Sequence, residues 1–117
     1  MSPIRPDRIP VAFYVSKAGA DPVRGWLREL PTEDRKAIGT DLKRVQEQWP
    51  IGMPVCKSLG AGLWEVRSTL ASNRIARTMF CFHEGVAVVL HAFIKKTQKT
   101  SQADLALARE RMKDVKR

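Results

Sequence analysis

The chain has 117 residues, 44% hydrophobic and 28% charged, which fits one folded domain over residues 1–117 rather than a disordered segment. Its formal net charge of +9 points to a polyanionic partner, most often nucleic acid. No apolar run is long enough to span a bilayer, no apolar leader follows Met1, and Cys56 and Cys81 lack metal-ligand spacing. A cytoplasmic protein with buried thiols, no metal site, no cofactor and no membrane contact is expected.

Residues 1–10 hold three prolines and read as a loose lead-in. Val11 to Val15 is a short β-run and the expected first strand. Asp21-Pro22 opens a helix, with Asp as N-cap and Pro at the first helical position. Val23, Trp26, Leu27 and Leu30 follow helical spacing and form its core stripe. Pro31-Thr32 ends this helix and caps a longer one, Thr32 to Trp49, with Ile38, Leu42 and Val45 inward and Asp34, Lys36, Lys43, Arg44 and Glu47 largely on the other faces. So short a link implies a helix hairpin packed on one face of a sheet.

After a turn-rich connection, Val55 to Leu59 leads through Gly60-Ala61-Gly62 into three β-rich runs. These are 62–69, 74–82 and 86–94, separated by Ser-Asn and Glu-Gly turns, and they read as an antiparallel meander. Alternation places Trp64 and Val66 toward the helices and Leu63, Glu65, Arg67 and Thr69 on the opposite face. The 74–82 run alternates poorly, so the facing of Arg77 stays open. In the last run the apolar set Leu90, Ala92 and Ile94 is expected inside, leaving His91, Phe93 and Lys95 on an open face beside Arg67. Ser101 then caps a final helix with Asp104 three residues on. Leu105, Ala108 and Met112 make its stripe, and Arg109, Arg111, Lys113, Lys116 and Arg117 its basic side. Residues 95–117 carry 8 basic and 3 acidic side chains against 9 and 7 in residues 1–56, so the cationic excess starts where the sheet ends.

Three segments together resemble the RelE/HigB-like toxins of bacterial type II toxin–antitoxin modules, and more closely their phage-derived HigB-like branch. They are Lys57-Ser58-Leu59-Gly60-Ala61-Gly62-Leu63-Trp64-Glu65-Val66-Arg67, Arg74-Ile75-Ala76-Arg77-Thr78-Met79-Phe80, and His91-Ala92-Phe93-Ile94-Lys95-Lys96-Thr97-Gln98-Lys99-Thr100. The resemblance runs from about Val11 to Met112. It implies an α+β, RelE-like domain of order β-α-α-β-β-β-α, with an antiparallel sheet and the N-terminal helix hairpin on one face. It implies a metal-independent endoribonuclease that cuts messenger RNA in the A site of the small ribosomal subunit and inhibits translation. The implied partner is a cognate helix-turn-helix antitoxin, with operator DNA met only through the antitoxin complex. The chain departs from the family pattern at Ser101, where proline is common, at Ala76, where a bulky residue is usual, and at Phe80 and Phe93, so no strand tyrosine serves as acid or base.

Metal-free RNA cleavage needs a base for the 2′-hydroxyl, a cation for the phosphorane, an acid for the 5′-oxygen and an in-line grip on the strand. It leaves a 2′,3′-cyclic phosphate. Arg67 and Arg77 suit the phosphorane, since guanidinium matches phosphate oxygens in bidentate fashion. His91 suits proton transfer because histidine ordinarily titrates near neutrality, and Lys95 and Lys96 suit it because crowding by other cations favours a neutral amine. Lys57, Arg74 and Lys99 are candidate RNA contacts, and Phe93 a base-stacking platform. Each has a plainer alternative: an ion pair with Glu65 or a helix acid for the arginines, a hydrogen-bonded structural role for His91, a solvated strand end for the lysines. Two other functions stay open, a ParE-like toxin acting on DNA gyrase and a non-catalytic nucleic-acid or antitoxin binder.

Overall fold

The computed structural model describes residues 8–95 and 100–117. The elements are β1 (Val11–Phe13), α1 (Pro22–Arg28), α2 (Thr32–Gln48), β2 (Cys56–Gly60), β3 (Leu63–Thr69), β4 (Ile75–His83), β5 (Val86–Lys95) and α3 (Gln102–Val115). They form an α+β domain built on one five-stranded sheet of order β1-β5-β4-β3-β2. No helix among the described residues is long and apolar enough to cross a membrane.

The expected all-antiparallel sheet needs two corrections. First, β1 pairs in parallel with β5, from Val11 beside Ala87 to Phe13 beside Val89, so the sheet is mixed. The outer edge of β5 takes its backbone partner from the N-terminal β-run. Second, the lead-in to the meander is itself a strand, β2, antiparallel to β3. Its exposed Lys57 and Ser58 and its glycine hide the strand signal, and polar residues of this kind are at home on an edge strand.

Trp64 and Val66 turn toward α1 and α2, as alternation requires. They join a core of Val23, Ile38, Leu42, Val45, Phe80 and Val89. Trp49, just past α2, closes this core with edge-on rings at 4.9 Å from Trp64, 5.8 Å from Phe80 and 4.9 Å from Phe82. The opposite face is not open along its whole length. The α3 stripe of Leu105, Ala108 and Met112 packs there on Leu63, Met79, Cys81, Val88, Leu90 and Phe93. Leu90 therefore lies opposite to its expected side. A register shift between Met79 and Phe80 lets His91 pair with Met79 and Val89 with Phe80, so alternation breaks at Leu90.

Both hairpin turns form where expected. Ser72 and Asn73 turn with φ of 62° and 59°, and Glu84 and Gly85 with 51° and 80°. Asp21 is the N-cap of α1 with Pro22 inside the first turn, though its side chain makes no capping bond. Pro31 rather than Thr32 takes the N-cap position of α2. At α3 the Ser101 hydroxyl accepts from the Asp104 backbone N–H at 3.1 Å, as the pattern of the sequence requires.

Candidate functional site

Strand pairing stacks the candidate residues into three successive rungs on the α3 face. Lys57, Glu65, Met79 and His91 form the first. Arg67, Arg77 and Phe93 form the second, and Thr69, Ile75 and Lys95 the third. Direct partners in an antiparallel ladder point to the same face. Six candidates read from the sequence, Lys57, Arg67, Arg77, His91, Phe93 and Lys95, thus converge from four strands. The facing of Arg77, left open by its strand pattern, is that of Met79.

Arg77 and Glu65 form the interior of this patch. The guanidinium Nη1 lies 2.9 Å from Glu65 Oε1, with side chains 3% and 1% exposed. Glu65 Oε2 also accepts a hydrogen bond from the Thr100 hydroxyl at 2.6 Å, tying β3 to the segment before α3. Glu65 therefore serves Arg77 and Thr100 from a buried position rather than standing on an open face. Burying two charges is tolerated only when each has partners of this quality. Arg67 is half-buried on the neighbouring strand and also borders a cleft of about 470 Å³ with Ala37, Thr40, Asp41, Arg44, Pro54, Val55 and Thr69.

The outer part of the patch is organised by Asp104, which sequence reasoning assigned only to helix capping. Its Oδ1 lies 2.7 Å from His91 Nε2 and its Oδ2 lies 3.0 Å from Lys95 Nζ. Burial by itself raises the Asp104 pKa, but hydrogen bonds from His91, Ser101 and Lys95, with the Lys95 charge, outweigh it and bring the carboxyl to about 2. Phe93 fills the space between His91 and Lys95: the His91 ring is 5.5 Å away and Lys95 Nζ is 5.1 Å from the ring centre. Phe93 is only 8% exposed, so it supports these groups from below instead of offering a free stacking face.

Arg74 lies elsewhere. It makes a two-pronged pair with Asp34 of α2, at 2.8 and 3.0 Å, and Asp34 is buried rather than on a solvated helix face. The hydrogen bonds from Arg74 lower the Asp34 pKa, and the same bonds raise that of Arg74. Lys96 and Lys99 lie outside the described residues. In α3, Arg109 donates to the Leu59 and Gly60 carbonyls and Arg111 to the Leu90 carbonyl, so both fasten the helix to the sheet. Tyr14 donates its hydroxyl to Asp114 at 2.6 Å, a packing role. Both cysteines are free and buried, and burial pushes the Cys56 thiol up to about 11. Among the described residues no three His, Cys, Asp or Glu side chains are grouped to hold a metal ion.

The missed signal was spacing across elements. Asp104 follows Lys95 by nine residues and His91 by thirteen, and nothing in local periodicity joins a helix residue to a strand. A cluster of His, Lys, Arg and carboxylates on one sheet face has the groups for binding an anionic strand and moving protons near it. No curated protein matches the chain. The model of the phage-derived Gp49-like protein family matches residues 25–113. The chain belongs to that family, which is RelE-like and associated with toxin–antitoxin modules.

Proposed function

We propose that this chain is the toxin of a type II toxin–antitoxin module of HigB-like type, a ribosome-dependent, metal-independent endoribonuclease acting on messenger RNA. The observation that carries the reading is the three-rung cationic patch, found in a chain of a toxin-associated family. Arg67, the more exposed arginine, meets the scissile phosphate, and Arg77 reinforces the positive potential behind it. His91 and Lys95 divide the two proton transfers, and Lys57 at the outer edge of the first rung holds a flanking phosphate. The attacking group is the neighbouring 2′-hydroxyl, so the product is a 2′,3′-cyclic phosphate. A helix-turn-helix antitoxin neutralises the toxin.

The test is to induce the chain in growing cells and map messenger RNA 5′ ends, beside Arg67→Ala and His91→Ala variants shown to be folded. The expected result is cuts in register with translated codons, reduced on the order of 100-fold or more in each variant. Growth arrest without RNA cuts would instead support the gyrase-directed reading. Neither arrest nor cuts would leave a binding protein.

A further inference from the structure

We propose that Asp104 is the positioning residue of this site, holding His91 in one tautomer and fixing the separation between His91 and Lys95. The inference rests on the nuclease reading for its catalytic consequence and on geometry for the rest. Asp104 occupies the third position of α3, where an acid ordinarily serves the helix end. Its carboxylate instead turns to the sheet and spends one oxygen on His91 and the other on Lys95 and the Ser101 hydroxyl. Its side chain is 18% exposed and that of His91 is 15%, so the pair is sheltered but reachable.

The chemistry follows from which nitrogen is engaged. An ionised carboxylate has no hydrogen to donate, so the imidazole donates Nε2–H to it and Nδ1 is left to take or give a proton. A carboxylate behind a histidine fixes the ring's tautomer and steadies the imidazolium that forms, without itself moving a proton. The same carboxylate holds Lys95, two residues past Phe93 on the same strand face. One side chain thereby sets the distance between the two proton-transfer groups, with the Phe93 ring as the spacer. Asp104 does not meet the RNA.

The experiment compares the full chain with Asp104→Asn, Asp104→Glu and Arg109→Ala. Two readouts are taken: the nitrogen-15 imidazole shifts of His91, assigned through His91→Gln, and cleavage on ribosomes carrying a defined message. The expected wild-type signature is a proton held on Nε2, facing Asp104. Asp104→Asn should lose that preference and cut about 100-fold more slowly, through kcat with KM little changed. Asp104→Glu should recover part of both. Arg109→Ala, which frees α3 from the Leu59 and Gly60 carbonyls but leaves the Asp104 contacts in place, should melt at lower temperature while keeping the tautomer and cleavage within about threefold. The proposal is overturned if folded Asp104→Asn keeps the wild-type tautomer, or cuts as fast as wild type. If the wild-type chain cuts no RNA, the nuclease reading fails, and the tautomer comparison still decides the positioning claim alone.

Discussion

The two faces of the sheet bury polar groups in opposite ways. Beneath α1 and α2 the core is apolar and aromatic, with few polar members. Asp34 and Arg74 pair at the rim, while the hydroxyls of Ser68 and Thr78 are buried without a hydrogen-bond partner among the described residues. Beneath α3 the apolar core occupies one end only. The other end holds Glu65, Arg77, His91, Lys95, Thr100 and Asp104, tied by hydrogen bonds of 2.6 to 3.0 Å. The first face stabilises by area removed from water. The second spends stability on holding charges in fixed places, an arrangement suited to a site rather than to a core.

Removing one member of the buried pair should show the contrast most sharply. Glu65→Ala leaves the buried Arg77 guanidinium without its carboxylate and the Thr100 hydroxyl without its acceptor. Denaturant unfolding should register a loss of about 3–5 kcal/mol. Phe80→Ala, in the aromatic cluster of the other face, should cost a similar 3–5 kcal/mol by leaving a cavity. The double change Glu65→Leu with Arg77→Met separates the two cases: it should recover most of the loss while abolishing RNA cleavage, since the charges are removed together. If the double variant is as unstable as Glu65→Ala, the pair contributes to stability more than a site-directed role implies.

A smaller effect is expected at α3. Ser101→Ala removes the N-cap acceptor and should cost about 1 kcal/mol in the same assay. Smaller still is Thr78→Val on the α1/α2 face. It replaces an unpartnered buried hydroxyl with a methyl and should stabilise the fold by about 1 kcal/mol or less. A loss there would mean that the hydroxyl has a partner in solution.

The pH dependence separates the faces at acid pH. Asp104 ionises at about 2 in the fold against an ordinary 3.8. A carboxyl lowered by folding contributes its stabilisation above the unfolded value and loses it as pH falls through the folded one. Asp104→Asn should therefore be less stable than wild type above about pH 4, with the difference closing as pH falls toward 2. Asp34, lowered by the Arg74 hydrogen bonds, behaves with the same sign on the other face. Acid unfolding curves of Asp104→Asn and Asp34→Asn would apportion the effect between the two.

Legibility followed the range of the forces. Strand runs 62–69, 74–82 and 86–94, both hairpin turns and the Ser101 cap depend on neighbours within a few residues, and they stand in the structure within a residue or two of their expected places. The rungs of the site were half legible, since alternation already set Arg67, Phe93 and Lys95 on one side. Arg77 needed the ladder, because Ile75, Met79 and Cys81 share its face while Ala76, Thr78 and Phe80 are equally buried on the other.

Local chemistry in the sequence thus determined the three strand runs of the meander, the two turns, the Ser101 cap and the concentration of positive charge at the end of the sheet. Tertiary structure alone decided the parallel seat of β1, the strand character of β2, the irregularity that sends Leu90 under α3, and the partners of every buried charge. Those partners are far apart along the chain: Asp34 with Arg74, Glu65 with Arg77 and Thr100, Asp104 with His91 and Lys95. A buried charge is settled by whichever opposite charge the packing brings within about 3 Å, and no local pattern encodes that distance.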